Sequence, residues 1–400
     1  MKRIAVFLDG TWNTVDSNTN VWRLKSLCST LDDQLSYYSA GVGTQNGQRL
    51  IGGMFGYGLD NEVIQAYMWL MENYVEGDHI FLFGFSRGAF TARSLSGLIS
   101  KCGLLQPGAP VSIPQLYARY KRGSAVPTIR GLKHVPPAQQ TQEDKLLLRY
   151  SMAIPIWFQG VWDTVGALGV PFGHIPIISR SDYGFLETDL RINNDRAYHA
   201  MAIDEHRKAF APTLWTRTID KNAPADSPKP RPLDQVEQRW FVGAHADVGG
   251  GYDDGMLSQL PLNWLMQKAR LHGLTFKSSI SLDGSEIDSP IHDSFAEMAH
   301  GLYKLSKLGQ PYYRPLGAPP VIAGDRQTTV INETIDASVF KRWRDIADYR
   351  PANLQAWATA HGVDCAKLDK TVSASDPAVP LPPEPQITSK PPPAPLTPSQ

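Results

Sequence analysis

The chain has 400 residues, 42% hydrophobic and 20% charged, enough to bury one large core or two modest ones. Its formal net charge is zero, which excludes the electrostatic footprint of a nucleic-acid binder. Three widely separated cysteines (Cys28, Cys102 and Cys365) without a CxxC exclude a disulfide framework or cysteine zinc site, and no apolar run approaches a membrane span.

In chain order, "RIAVFLDG" reads as a buried strand and "QLSYYSAGVG" as a second. "DNEVIQAYMWLMENYVEGD" reads as a helix, its apolar residues Val63, Ile64, Tyr67, Leu70 and Met71 recurring at helical spacing. "GDHIFLFGFS" is a strand and "RGAFTARSLSGLISKCGL" a helix. "IPIWFQGVWD" is a strand, "RAYHAMAIDEHRKAFA" is predicted helical, "EQRWFVGAHAD" is a strand and "LSQLPLNWLMQKARLHGL" a helix. Short apolar strands alternating with helices imply an α/β fold, a mostly parallel sheet with helices on both faces.

Residues 1–356 are expected to form the catalytic domain, with insertions near 105–150 and 170–195 that are expected to cover the site and line a substrate pocket. Residues 357–400 form a C-terminal extension, Pro-rich and expected to be disordered from about 372. "DKNAPADSPKPRP" reads as a surface loop. The N-terminus lacks the pattern of a secretory signal, so synthesis in the cytoplasm is expected.

In a parallel sheet, ligands bind beyond the carboxyl ends of the strands. Asp9, Ser86, Asp163 and His245 all fall at expected strand ends. Gly84-Phe85-Ser86-Arg87-Gly88 fits G-x-S-x-G between a strand and a helix, the context of a nucleophile elbow. A serine hydroxyl needs a base, and His245 in "GAHADVGGGY" supplies one; Asp163 in "GVWDTVG" then fixes the imidazole. The chain order Ser86, Asp163, His245 is that of an α/β-hydrolase sheet. The amide of Arg87 and the Gly10-Thr11 turn are the expected oxyanion donors, and Asp9 is expected to order that turn.

Blander readings stand beside these. Ser86 alone reads equally as a helix cap, Asp163 as a turn cap through Thr164 and Val165, and His245 as a core histidine or half of a metal pair with Asp247. His206 is a reserve base, while His199 reads as structural. "FLDGTWN" places Phe7 where a phosphatase of the D-x-D-G-T type needs its nucleophile, and no P-loop is present.

The stretches "RIAVFLDGTWN", "YYSAGVGT", "FLFGFSRGAFTAR", "GVWDTVGALG", "AMAIDEHRKAFAPTLW" and "RWFVGAHADVGGGY" together resemble the DUF2235 domain, which includes the α/β-hydrolase-like domain of Tle1-type phospholipase effectors of type VI secretion. The resemblance implies a Ser-Asp-His triad on Ser86, Asp163 and His245 that cleaves phospholipid acyl esters, with no metal or other cofactor. It also implies peripheral membrane contact, delivery to a target cell, and a secretion-apparatus or immunity partner. A resident cytoplasmic esterase fits the same chain. Two alternatives remain: a metal-assisted hydrolase built on Asp9, His245, Asp247 and Asp253, and a non-catalytic binding protein on a hydrolase fold. Esterase activity that survives removal of residues 372–400 is the expected sign that the tail is only a spacer.

Overall fold

The computed structural model describes residues 1–10, 15–41, 54–166, 190, 193–220, 230–297 and 310–384. Strand β1 (Arg3–Leu8) shows why the sheet is parallel and central: Ile4 to Leu8 are all buried, so both faces of the strand are covered. It pairs in parallel with β2 (Gln34–Ser39) on one side and β3 (His79–Phe85) on the other. Beyond β3 come β4 (Phe158–Trp162), β5 (Ala197–Ala202), β6 (Val236–Phe241) and β7 (Glu333–Ile335), each parallel to its neighbour. Strand β8 (Val372–Ser373) closes the far edge antiparallel to β7. The spatial order is β8-β7-β6-β5-β4-β3-β1-β2, so the strand order reverses between β1 and β3.

Alternate residues of a strand face opposite sides, and the two cores follow that alternation. Ile4, Val6, Leu8, Ile80 and Leu82 pack with Val63, Tyr67 and Leu70 of α2 (Met54–Asn73) and with α3 (Arg87–Cys102). Ala5, Phe7, Phe81 and Phe83 face the other way, against Val21 and Leu24 of α1 (Asn20–Leu27). A third cluster packs Trp240 and Ile335 under two later helices through Phe340 and Trp357.

The insertion at 105–150 forms α4 (Ile113–Lys121) and α5 (Gln142–Tyr150), each opened by a capping box at Ser112 and Thr141. It braces α2 and the second half of α3: Tyr117 donates to Asp60 at 2.6 Å, Lys101 Nζ donates to the Val126 carbonyl at 2.7 Å, and Tyr120 fills the space left by Gly97. Most of the insertion at 170–195, and the loop at 221–229, lie outside the described residues.

Two expectations are corrected. The stretch 196–211 was expected to be a helix, but Ala197–Ala202 is strand β5. All six of its residues are buried, so it carries no polar alternation to reveal a strand. The chain was expected to be disordered from about 372, but residues 372–384 are ordered. Val372 pairs with Ile335, the Ala374 carbonyl accepts from Trp357 Nε1 at 2.7 Å, and Glu384 pairs with Arg239. Open edge groups of β7 give this short segment hydrogen bonds that its composition alone does not advertise. Residues 385–400 lie outside the described part. Among the described residues no helix is long and apolar enough to cross a membrane.

Candidate active site

Strand β3 ends at Phe85 and α3 begins at Arg87, leaving Ser86 alone in the turn with φ 57° and ψ −121°. That backbone is strained for a residue with a side chain. Glycines make the turn possible. A Cβ on Gly84 would lie 2.4 Å from the Gly88 carbonyl oxygen, and one on Gly88 would lie 2.1 Å from that of Leu8. The Ser86 amide donates to the Trp162 carbonyl at 3.1 Å, which ties the elbow to the end of β4. Ser86 makes no side-chain cap to α3. Its Oγ instead lies 2.9 Å from His245 Nε2.

His245 opens the short helix α6 (His245–Gly249) directly beyond β6. Its Nδ1 lies 2.5 Å from Asp163 Oδ2, so the tautomer that fits carries the proton on Nδ1 and presents Nε2 to the serine. The ring is walled by Phe85 and Phe210, at 4.6 and 5.0 Å between centroids. Burial lowers the imidazole below its ordinary range, and the hydrogen bond and charge of Asp163 only partly oppose this. Asp163 directly follows β4 with φ 35° and is fully buried. Burial alone would raise its carboxyl, but the Arg314 guanidinium and His245 outweigh that and hold it well below the usual carboxylate range. The turn-cap reading of Asp163 does not describe its partners, which are His245, Arg314 and the Ala202 amide.

Three buried groups beside the site were not assigned to it from sequence. Arg314 is fully buried and reaches both oxygens of Asp163, at 2.6 and 2.9 Å. Glu205 accepts from the His245 amide at 3.2 Å and from Ser294 Oγ at 2.9 Å, and is ion-paired with Arg207. Burial opposes ionisation of Glu205, yet Arg207 holds it down at about 2. His199 was read as structural, and its Nε2 accepts the Thr164 amide at 3.0 Å, next to Asp163. Burial and the nearby Arg93 charge push this imidazole down to about 3, so it stays neutral. "DEHRKAF" held a signal for Glu205 and Arg207, since a carboxylate and a guanidinium two residues apart are unusual beside a buried strand. "YYRPLG" held none for Arg314.

The remaining expected residues fall as follows. Arg87 is the first residue of α3, so its amide follows Ser86 directly at the positive end of the helix. The Gly10 amide donates to Asp9 Oδ1 at 2.8 Å, so that hydrogen points back into its own turn. Thr11 lies outside the described residues. Asp9 Oδ2 accepts from Thr19 Oγ1 at 2.6 Å and from the Tyr38 hydroxyl at 3.0 Å, which ties the end of β1 to the cap of α1 and to β2. His206 faces the Tyr312 carbonyl at 3.2 Å rather than Ser86. Of the metal-assisted set, Asp9 and His245 are engaged as above, Asp247 holds the Ala244 amide and His292, and Asp253 is exposed. Among the described residues no group of three His, Cys, Asp or Glu side chains is placed to hold an ion.

A family model described as "T6SS, Phospholipase effector Tle1-like, catalytic domain" matches residues 2–268. "Uncharacterized protein YEL023C" of Saccharomyces cerevisiae is 28% identical over 235 residues, 54% of this chain and 33% of that protein. Among solved structures, an uncharacterized protein from Pseudomonas aeruginosa aligns with 77% of this chain and 51% of its own, at TM-score 0.40 and 17% identity. The Tle1 effector bound to the VgrG spike from the type 6 secretion system aligns with 64% of this chain and 52% of its own, at TM-score 0.35 and 19% identity. The chain thus spans about a third of the yeast relative's length and about half of each solved structure.

Proposed function

Because the chain belongs to the family of type VI secretion Tle1-like phospholipase effectors, through their catalytic domain, we propose that it is a serine esterase that cleaves the acyl esters of phospholipids. The observation that carries this reading is the unbroken relay from Ser86 Oγ to His245 at 2.9 Å and on to Asp163 at 2.5 Å.

In the proposed reaction His245 Nε2 takes the Ser86 proton as Oγ attacks the acyl carbonyl carbon. Asp163 holds Nδ1–H and steadies the imidazolium. The Arg87 amide is one oxyanion donor, and the turn at residues 10–11 supplies the second. The Gly10 amide donates to Asp9, so within that turn the proposed donor is the Thr11 amide. Collapse expels the lysolipid alkoxide, which takes the proton from His245. Water, deprotonated by His245, then attacks the acyl-serine, and the fatty acid leaves.

Delivery by the type VI apparatus, and pairing with a component of it or with an immunity protein, are proposed from the family alone. Substrate entry requires peripheral lipid contact. The test is mass spectrometry of lipid products together with a fluorophosphonate probe, comparing wild type with Ser86→Ala. Fatty acid and lysolipid from the wild type, with labelling lost in the variant, are expected. A folded wild type that takes no label overturns the reading. Activity that survives in Ser86→Ala and disappears in chelator selects the metal-assisted alternative.

A further inference from the structure

Asp163 has every acceptor site filled. Oδ1 takes the Ala202 amide at 3.0 Å and Arg314 Nη1 at 2.6 Å, while Oδ2 takes His245 Nδ1 at 2.5 Å and Arg314 Nη2 at 2.9 Å. The guanidinium is a fork that fits a carboxylate in one plane, so its bite fixes rotation of the Asp163 carboxyl. The same guanidinium donates to the carbonyls of Ala202 and Phe210, at 2.6 and 2.5 Å. One side chain therefore ties the end of β4, the end of β5 and the loop that carries Phe210, a wall of the imidazole.

The charges around His245 are also balanced. Two carboxylates, Asp163 and Glu205, face it, and each has its own arginine, Arg314 and Arg207. Among the described residues the neutral His199, with Arg93 near it, also faces Asp163. In a triad whose aspartate is otherwise uncompensated, that charge both orients the imidazole and stabilises its protonated form. Here Arg314 shares that charge, and Asp163 still partly opposes the burial that keeps the imidazole neutral.

We infer that Arg314 is a positioning residue of the triad, one that fixes the Asp163 carboxylate in its bond to His245 and offsets part of its charge. The inference rests on the serine-esterase reading. It deepens that reading by setting the pH range over which the base works. Removing the guanidinium releases the carboxylate's full charge onto His245, so the acid limb of kcat/KM moves to higher pH. It also lets the carboxylate rotate, so kcat falls.

The experiment compares wild type, Arg314→Lys and Arg314→Gln with a soluble aryl ester across pH. Circular dichroism checks folding, and the fluorophosphonate probe counts competent Ser86. For folded Arg314→Gln the expectation is a kcat lower by about 10²-fold, KM within about threefold, and an acid limb about one pH unit higher. Arg314→Lys restores part of both. A role confined to stability predicts a lower melting temperature with kcat and the limb unmoved in the folded fraction, and that result overturns the inference. If Arg314→Gln does not fold, Asp163→Asn/Arg314→Gln is compared with Asp163→Asn. With no carboxylate left to hold, losing the guanidinium changes kcat/KM by less than about threefold if the inference is right, and a further loss beyond about tenfold overturns it. A wild type that takes no label is a failure of the esterase reading itself, distinct from either outcome.

Discussion

Gly88 meets the carbonyl oxygen of Leu8 so closely that a Cβ on the glycine would lie 2.1 Å from it. The start of α3 is thereby pressed against the end of β1, at the point where the strand order reverses. Gly88→Ala forces these two elements apart and should cost about 1–3 kcal/mol. Thermal unfolding reads that cost, and the rate of probe labelling at Ser86 should fall with it. Normal labelling in a stable Gly88→Ala protein would show that the elbow tolerates the displacement.

Ser86 carries a side chain at φ 57°, and glycine would not pay that strain. Ser86→Gly and Ser86→Ala both lose the hydroxyl, so their difference reports the backbone alone. Ser86→Gly should be the more stable by about 1–3 kcal/mol in denaturant unfolding, with both variants inactive. Equal midpoints would mean the turn is relaxed.

Asp163→Asn leaves Arg314 fully buried without its counter-charge. Breaking a buried pair from one side costs about 3–5 kcal/mol. The variant should therefore unfold at lower denaturant than Ser86→Ala, in addition to losing activity. A midpoint equal to that of Ser86→Ala would mean the guanidinium finds other partners.

His199 makes stability depend on pH. The unfolded chain protonates this imidazole below its ordinary 6.5, whereas the folded chain does so only near 3. Between those values the unfolded state holds the extra proton, so stability falls as pH drops, by up to about 1.4 kcal/mol per unit. Glu205, depressed to about 2 from 4.5, adds a loss of the same sign below 4.5. Asp204 acts oppositely: burial raises it to about 6, against the Gly243 amide, so its contribution is lost as pH rises through 6. His199→Gln, which keeps an acceptor for the Thr164 amide, isolates the first effect. Its unfolding free energy should have a flatter dependence than wild type between pH 6.5 and 3. Parallel curves would place the proton uptake elsewhere.

Cutting the chain after residue 384 should leave melting temperature and labelling unchanged. Cutting after residue 371 removes β8 and the carbonyl that accepts from Trp357, so it should lower the melting temperature. The clean test of the Pro-rich tail as a spacer thus begins at residue 385 rather than 372. Equal melting of the two truncations would show that β8 adds nothing.

Much of this site could be read in the sequence because strand ends announce themselves. Ser86, Asp163 and His245 each follow an apolar run and precede a break, so a parallel sheet gathers them at one rim. Strand β5 escaped because its residues Ala197 to Ala202 face protein on both sides and mix helix formers with His199, leaving neither period. Arg314 escaped for a different reason. Its importance comes from tertiary placement alone, since a lone arginine before a proline has no local pattern. Ordering at 372–384 was hidden because an edge strand draws its hydrogen bonds from a partner distant in sequence.

The sheet does not finish where the cluster of Ser86, Asp163 and His245 does. Strands β7 and β8 and the guanidinium that grips Asp163 all arrive after residue 310, well after His245 has been laid down. A fragment that stops at residue 268 would contain Ser86, Asp163 and His245, yet would expose the flank of β6 as a sticky ladder and strand a buried anion. Such a fragment should clump rather than turn over substrate, so the smallest unit able to fold is larger than the smallest unit that holds the chemistry.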